Sequence, residues 1–168
     1  ARAESVHVYF GTGGEGIYRS DLDLESGALS DPVLAVETGG SGFIEISPDR
    51  RFVYPPGGWK GDGEEAPGGG AVNAFAVDAA TGDLRYLNQQ PSGGSGPCHV
   101  SVTPDGKAVL VANYGGGSVT SFPVKDDGAL GVSPAVRQHE GLGPDKGRQA
   151  GPHAHSINID SGNKYAFA

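Results

Sequence analysis

Apolar and polar residues alternate along the chain in short runs, and each run ends in a turn rich in glycine, proline or aspartate. A period of two places the apolar side chains on one face of a β-strand. No stretch keeps the 3.6-residue period of an amphipathic helix for long enough to predict one. The pattern therefore predicts an all-β protein with many tight turns.

One strand–turn–strand pattern occurs three times along the chain. It consists of an apolar alternation, a Pro-Asp or Ser-Gly turn, a basic residue and a second apolar run, in residues 43–54, 99–110 and 156–167. The basic residues are spaced 56 and 57 residues apart, at Arg51, Lys107 and Lys164. Such self-similarity at a fixed period indicates a repeat architecture.

A second pattern alternates with the first and completes the repeat. It consists of a glycine, an alternating strand, a polar turn that ends in glycine and a leucine, in residues 16–29, 70–84 and 117–130. Together the two patterns give about four short strands per period of roughly 50 residues, which is typical of a β-propeller blade. We therefore predict an all-β propeller of four-stranded antiparallel blades, at about residues 6–38, 43–90, 99–139 and 155–168.

The strand count predicts an incomplete arc of about four blades within one propeller domain. The successive blades contain three, four, four and two strands, whereas closed propellers typically have 4–8 complete blades. Open strand edges and uncovered apolar surface at the two ends would then make this stretch of chain aggregate, or fold only in part, when expressed alone.

The connections between strands predict where a functional site lies. The tight Pro-Asp and Thr-Gly turns share one face of the predicted disc, so the longer connections share the opposite face, here called the loop face. These connections are residues 55–69, 90–98, 113–116 and 138–154. Because loops on a rigid scaffold carry most binding and catalytic residues, we expect the site on the loop face.

Charge and hydrophobicity argue against two classes of partner. The chain has 12 Lys and Arg against 20 Asp and Glu, a net charge of −8, and the basic residues form no cluster. A surface that follows nucleic-acid phosphates needs such a cluster. The longest apolar run, residues 108–112, is far too short to cross a membrane. We predict neither a nucleic-acid partner nor a membrane partner.

Two short motifs raise the question of a cofactor or a metal. Residues 11–16 spell Gly-x-Gly-x-x-Gly, but an alternating strand follows where a dinucleotide site needs a helix. His153 and His155 would project to one side of a strand, as zinc ligands could, yet no cysteine or carboxylate has a matching spacing. We therefore predict a glycine-rich turn at residues 11–16, no cofactor and no metal.

Most of the candidate chemistry lies in one connection of the loop face, residues 138–156. Its polar side chains are those of His139, Glu140, Arg148, Gln149, His153 and His155. Imidazoles can act as general bases near neutral pH, and a guanidinium can hold an anion or a developing oxyanion. The segment therefore predicts a functional site. The alternative is a polar, glycine-rich surface loop without a function of its own.

The repeat brings further residues to the same place. In register, His99 corresponds to Ser156 and Cys98 to His155, so His99 and His155 are expected at the ends of inner strands in neighbouring blades. Asn113 lies in another connection of the loop face. We interpret Cys98 as a small buried residue rather than a nucleophile.

The sequence closely resembles the seven-bladed propeller lactonase family in three ordered segments, residues 96–99, 111–118 and 139–156. That family includes propeller-type 6-phosphogluconolactonases and carboxymuconate lactonizing enzymes. The resemblance implies seven blades, of which this chain holds about half. The missing C-terminal blades of the same chain would be its partner, and the stretch alone is expected to be inactive.

The resemblance also implies roles for individual residues. The family uses a catalytic histidine, two arginines and a glutamate, of which only the histidine is covered, by His155 or, as second choice, His153. We expect this histidine to be the base and Arg148 to hold a substrate phosphate, a carboxylate or the oxyanion. The expected substrate contacts are His99, Asn113, His139, Glu140 and Gln149.

These observations predict a hydrolase for a small sugar lactone, of the 6-phosphogluconolactonase type. A carboxymuconate-type cycloisomerase and a non-catalytic ligand-binding propeller remain as alternatives. Residues 55–57 and a shortened loop at residues 13–14 depart from the family's pattern on the loop face. The resemblance implies a cytoplasmic location, whereas signal-peptidase cleavage after residues 1–3 would imply a periplasmic or secreted protein.

Overall fold

The computed structural model describes residues 5–58, 69–132 and 135–168. Residues 1–3 and most of the connection 55–69 lie outside these ranges. No helix occurs within them, so none of the described residues forms a helix that could cross a membrane.

The strands are β1 (Ser5–Gly11), β2 (Gly16–Asp23), β3 (Val33–Glu37), β4 (Glu45–Ile46), β5 (Phe52–Tyr54), β6 (Pro56–Gly57), β7 (Ala71–Val77), β8 (Leu84–Pro91), β9 (Pro97–Val102), β10 (Ala108–Asn113), β11 (Ser118–Pro123), β12 (Ala135–Gln138), β13 (Asn158–Ile159) and β14 (Ala166–Phe167).

The described strands form four antiparallel sheets that follow one another in chain order. β1–β3 form the first sheet, β4–β8 the second, β9–β12 the third and β13–β14 the fourth. Strands that follow each other along the chain pair side by side, as in a propeller blade. The predicted all-β fold of antiparallel blades is confirmed. We propose that each sheet is one blade, with the boundaries that the repeat predicts.

The second blade differs from the prediction in its second strand, which is divided at Pro55 into β5 and β6. Both pieces pair with β7. Proline has no N–H group to donate to a neighbouring strand, but the carbonyl of Pro55 still accepts a hydrogen bond from the N–H of Asn73 at 2.9 Å. The division at Pro55 interrupts the pairing with β7, but the strand continues in the same direction.

The apolar cores lie between neighbouring blades. The largest, between blades 2 and 3, contains Phe52, Tyr54, Val72, Ala74, Val100, Val109, Val111, Phe122 and Leu130. The cluster between blades 1 and 2 contains Ile17, Val53, Phe75 and Leu84. The cluster between blades 3 and 4 contains Ala112, Ala154 and Ile157. Successive residues of β5 therefore pack against different blades, because side chains alternate across a strand. Ala154 anchors the His-Ala-His segment in the third of these cores.

Two tyrosines make equivalent hydrogen bonds between blades. The Tyr9 hydroxyl donates to the carbonyl of Gly82 at 2.7 Å, and the Tyr54 hydroxyl donates to the carbonyl of Gly128 at 3.0 Å. Each acceptor lies in the outer turn of the following blade. Burial raises the pKa of the Tyr54 phenol, which therefore keeps its proton and remains a donor. These bonds tie each of the first two blades to the blade that follows it.

Candidate active site

The loop face between blades 3 and 4 is formed by the start of β9, the turn after β10 and the residues before β13. The N–H of Tyr114 donates to the carbonyl of Gly96 at 2.8 Å, which ties the turn to the segment before β9. Gly117 has a φ of +63°, and a Cβ there would overlap the carbonyl of Pro152. Glycine at this position therefore allows the chain that leads to the His-Ala-His segment to pass close to blade 3.

Tyr114 lies at the centre of the predicted site residues. Its ring is stacked on His153, with centroids 4.5 Å apart and planes 20° from parallel. It meets the ring of His155 edge to face, with centroids 5.4 Å apart. Its hydroxyl accepts a long hydrogen bond, 3.4 Å, from Nη2 of Arg148. The structure thus brings together three residues that the sequence predicts as catalytic.

The main chain of Tyr114 also determines the tautomer of His153. Nδ1 of His153 lies 2.9 Å from the carbonyl oxygen of Tyr114. Because a carbonyl oxygen can only accept, Nδ1 must carry a proton and donate it. In the neutral imidazole, Nε2 then holds the lone pair and is the atom able to take a proton.

His99 is held in the opposite tautomer. Its Nδ1 accepts the N–H of Ile157 at 3.3 Å, so the proton of the neutral ring is on Nε2. The ring packs against Phe43, with centroids 4.2 Å apart. Burial, and secondarily the charge of nearby His155, lower the pKa of His99. His99 is therefore a neutral hydrogen-bond donor at neutral pH.

Cys98 is a packing residue at the same junction. Its Sγ lies 3.5 to 3.7 Å from the carbonyl oxygens of Ala112, Ala154 and His155. Burial raises the pKa of the thiol, which disfavours the nucleophilic thiolate. This environment agrees with the interpretation of Cys98 as a small, half-buried residue between blades 3 and 4.

Asn113 lies inside the protein rather than at the loop surface. Its side chain is fully buried, with 0% exposure. Its Nδ2 donates to the carbonyl of Ser92 and to the hydroxyl of Ser118, each at 3.0 Å. Asn113 therefore joins blades 2 and 3, and in this structure it has no surface that a substrate could touch.

The structure does not bring the other three predicted contact residues to Tyr114. The main-chain N–H of His139 bonds the carbonyl of Gly117 at 2.9 Å, at the outer edge of blade 3. Glu140 is exposed. Gln149 folds back onto its own loop, where its Oε1 accepts the N–H of Asp145 at 3.2 Å. The candidate site therefore centres on His153, His155 and Arg148 around Tyr114, with His99 close enough to His155 for their charges to interact.

Two other features of the described residues bear on the kind of site. No group of three or more His, Cys, Asp or Glu side chains among the described residues could hold a metal ion. A cleft of about 300 Å³ lies between blades 2 and 3 on the opposite face, lined by turn residues that include Asp49, Asp105 and Lys125. It contains no histidine, and the histidine cluster lies on the loop face.

Sequence reasoning missed the central position of Tyr114 among these side chains and the contact between Phe43 and His99. The signal for Tyr114 was its place in an Asn-Tyr-Gly-Gly-Gly turn on the loop face, where it is the one large side chain. The signal for Phe43 was weaker, because an aromatic residue at the start of an inner strand predicts core packing equally well.

The sequence matches the family described as "Lactonase, 7-bladed beta-propeller" over residues 6–168. It is 37% identical over 163 residues to the 6-phosphogluconolactonase of Bacillus subtilis, covering 97% of this chain and 44% of that protein. It is 30% identical over 157 residues to the 6-phosphogluconolactonase of Formosa agariphila, covering 92% of this chain and 42% of that protein.

A solved structure has the same arrangement of strands. The periplasmic gluconolactonase of Pseudomonas aeruginosa matches with a TM-score of 0.84 at 26% identity, over 98% of this chain and 47% of that one. The chain thus spans less than half the length of each of these three relatives. The family match covers nearly all of the sequence, and the chain belongs to the seven-bladed β-propeller lactonase family.

Proposed function

We propose that this protein is a lactone hydrolase that acts on a sugar lactone, with 6-phosphogluconolactone as its substrate. Relatives at 37% and 30% identity carry the name 6-phosphogluconolactonase. Hydrolysis adds a water oxygen to the lactone carbonyl carbon and breaks the bond from that carbon to the ring oxygen. The reaction therefore needs a base for the water proton, a group that stabilises the oxyanion and a proton for the departing ring oxygen.

One observation carries the proposal: an arginine and two histidines converge on Tyr114 at the loop face. His155 is exposed beside Tyr114, where it takes the proton of the attacking water and returns it to the ring oxygen. His153 is the second candidate for this role, because its Nδ1 proton is engaged and its Nε2 carries the lone pair. A base beside a cation is the pairing that ester hydrolysis needs.

Arg148 supplies the positive charge. Within the described residues no carboxylate lies within ion-pair distance of its guanidinium, which donates a hydrogen bond to the Tyr114 hydroxyl. Its remaining N–H groups can therefore hold a substrate phosphate or the oxyanion. His99, neutral with its proton on Nε2, can add a hydrogen bond to a substrate oxygen.

The experiment offers the full-length protein two substrates. Hydrolysis of 6-phosphogluconolactone, measured as acid release above the spontaneous rate, is the expected result, with carboxymuconate unchanged. Consumption of carboxymuconate with no lactone hydrolysis would instead identify a lactonizing cycloisomerase. Binding of the lactone by calorimetry with no turnover of either compound would contradict catalysis and favour a ligand-binding propeller.

A further inference from the structure

The main chain of Tyr114 is fixed from both sides. Its N–H donates to the carbonyl of Gly96 at 2.8 Å, and two residues later the N–H of Gly116 donates to the carbonyl of Ser95 at 3.0 Å. The N–H of Gly117 closes the turn on the carbonyl of Asn113 at 2.9 Å. The direction of the Tyr114 carbonyl is therefore determined by blade 3.

Tyr114 holds one imidazole with two different groups. Its ring is stacked on His153, and its carbonyl accepts the Nδ1 proton of the same residue. Stacking determines the plane of the imidazole, and the hydrogen bond determines its rotation within that plane and its tautomer. Neither group needs to contact a substrate to have this effect.

The same residue reaches the other two candidates. The ring lies edge to face with His155, and the hydroxyl accepts a hydrogen bond from Arg148. Arg148 lies on an exposed part of the connection before β13, and its own main-chain N–H bonds the carbonyl of Asp145 within that connection. The Tyr114 hydroxyl is thus the link between the Arg148 side chain and the body of the propeller.

We propose that Tyr114 is a positioning residue of this site, which holds His153 as the Nδ1–H tautomer and keeps Arg148 beside the histidines. The inference rests on the proposed function for its effect on turnover, but its effect on the tautomer is independent of that function. Two variants separate the two contacts. Tyr114→Phe removes the hydroxyl alone, and Tyr114→Leu removes the ring as well.

The experiment records nitrogen chemical shifts of the full-length protein labelled with ¹⁵N-histidine, with His153 assigned by a His153→Gln variant. In the wild type and in Tyr114→Phe, we expect Nδ1 of His153 to carry the proton. Tyr114→Leu keeps the carbonyl but loses the stacked ring, so the imidazole is no longer held in the plane from which Nδ1 reaches that carbonyl, and we expect an exchanging mixture of both tautomers. Tyr18→Phe is the matched control, because its hydroxyl bonds Glu15 at the surface of blade 1, and its spectrum should equal that of the wild type.

Turnover of 6-phosphogluconolactone gives the second readout. Tyr114→Phe should raise KM roughly 3–10-fold with little change in kcat, since it loses one long bond to a charged group. Tyr114→Leu should lower kcat by about 10- to 100-fold, because it loses the ring contacts to both candidate bases, His155 and His153, and a misplaced general base loses much of its contribution.

An unchanged tautomer of His153 in a folded Tyr114→Leu protein would overturn the inference, as would unchanged kcat and KM in both variants. A wild-type protein that hydrolyses no lactone would contradict the proposed function alone. In that case the nitrogen shifts of Tyr114→Leu would still decide whether Tyr114 positions His153.

Discussion

The imidazole of His153 lies nearly parallel to the ring of Tyr114, 39 residues earlier in the chain, with the centroids 4.5 Å apart. This contact joins the turn after β10 to the segment that enters β13. The candidate site therefore belongs to the junction of blades 3 and 4 rather than to either blade. Anything that changes the spacing of these two blades is expected to change the site.

Gly117→Ala should destabilise the protein and reduce turnover together. Alanine at a φ of +63° is strained, and its methyl group would overlap the carbonyl of Pro152, the residue before His153. Gly27 is the matched control, since it has a φ of +74° and open space around a Cβ. Gly27→Ala should therefore cost only the backbone strain, about 1 kcal/mol.

The two full-length variants are compared in their stability, by urea unfolding, and in their turnover of the lactone. We expect Gly117→Ala to lose more stability than Gly27→Ala and to lose activity, which Gly27→Ala should retain. If the two variants lose equal stability and both keep normal turnover, the close approach of Pro152 to blade 3 is not needed to position the site.

Tyr54→Phe tests the hydrogen bond between blades 2 and 3. The Tyr54 hydroxyl is buried and donates to the carbonyl of Gly128 at 3.0 Å, so its removal leaves a buried acceptor without this partner. The cost should be about 1–2 kcal/mol of the free energy of unfolding. Tyr18→Phe, which removes a surface hydroxyl, should have a smaller effect in the same denaturation experiment. An equal effect of the two variants would contradict a stabilising role for the Tyr54 bond.

His99→Asn should reduce the sensitivity of the protein to acid. The pKa of His99 in the folded state is lowered, so the unfolded chain binds more protons on this residue as the pH falls below about 6.5. The contribution of His99 to stability is therefore fully present above about pH 6.5 and is lost as the pH falls through the lowered pKa. Asparagine can still accept the N–H of Ile157 at the position of Nδ1, but it does not titrate.

Melting temperatures of the wild type and of His99→Asn between pH 5 and pH 8 measure this effect. As the pH is lowered, the melting temperature of the wild type should fall more than that of His99→Asn. A difference that stays constant across this range would show that His99 does not contribute to the pH dependence.

The repeat predicted most of the fold because its information is local. Alternation at Val100 and Val102 and the turns that follow determine strands that pair with their neighbours in sequence, and β9 and β10 are observed there. The division at Pro55 was not predicted, because a proline can end a strand or simply remove one hydrogen bond from it. Whether the strand continues past the proline depends on the carbonyl of Pro55, which accepts a hydrogen bond from the N–H of Asn73 in β7.

The site was less predictable, because its contacts join distant segments. His153, His155 and Arg148 were recognised by residue type, and the structure places all three around Tyr114. Asn113 looked equally suited to bind a substrate, yet it faces the interior between blades 2 and 3. Whether a polar loop residue faces solvent or a neighbouring blade depends on packing that local sequence does not encode.

Arg148→Gln tests the substrate class. If the guanidinium holds the phosphate, the variant should raise KM for 6-phosphogluconolactone by roughly 10- to 100-fold, which corresponds to the loss of a charge-assisted hydrogen bond. The KM for unphosphorylated gluconolactone should change little. Equal changes for both lactones would instead assign Arg148 to the oxyanion, which both substrates form.

The central claim, that the His-Ala-His segment supplies the base of a lactonase, is tested most directly by kcat for 6-phosphogluconolactone in the full-length protein. His155→Ala should lower kcat by roughly 10²–10⁴-fold. His139→Ala is the matched control in the same connection, and it should leave kcat nearly unchanged because His139 lies at the outer edge of blade 3. Near-normal kcat in folded His155→Ala and His153→Ala proteins would contradict the claim.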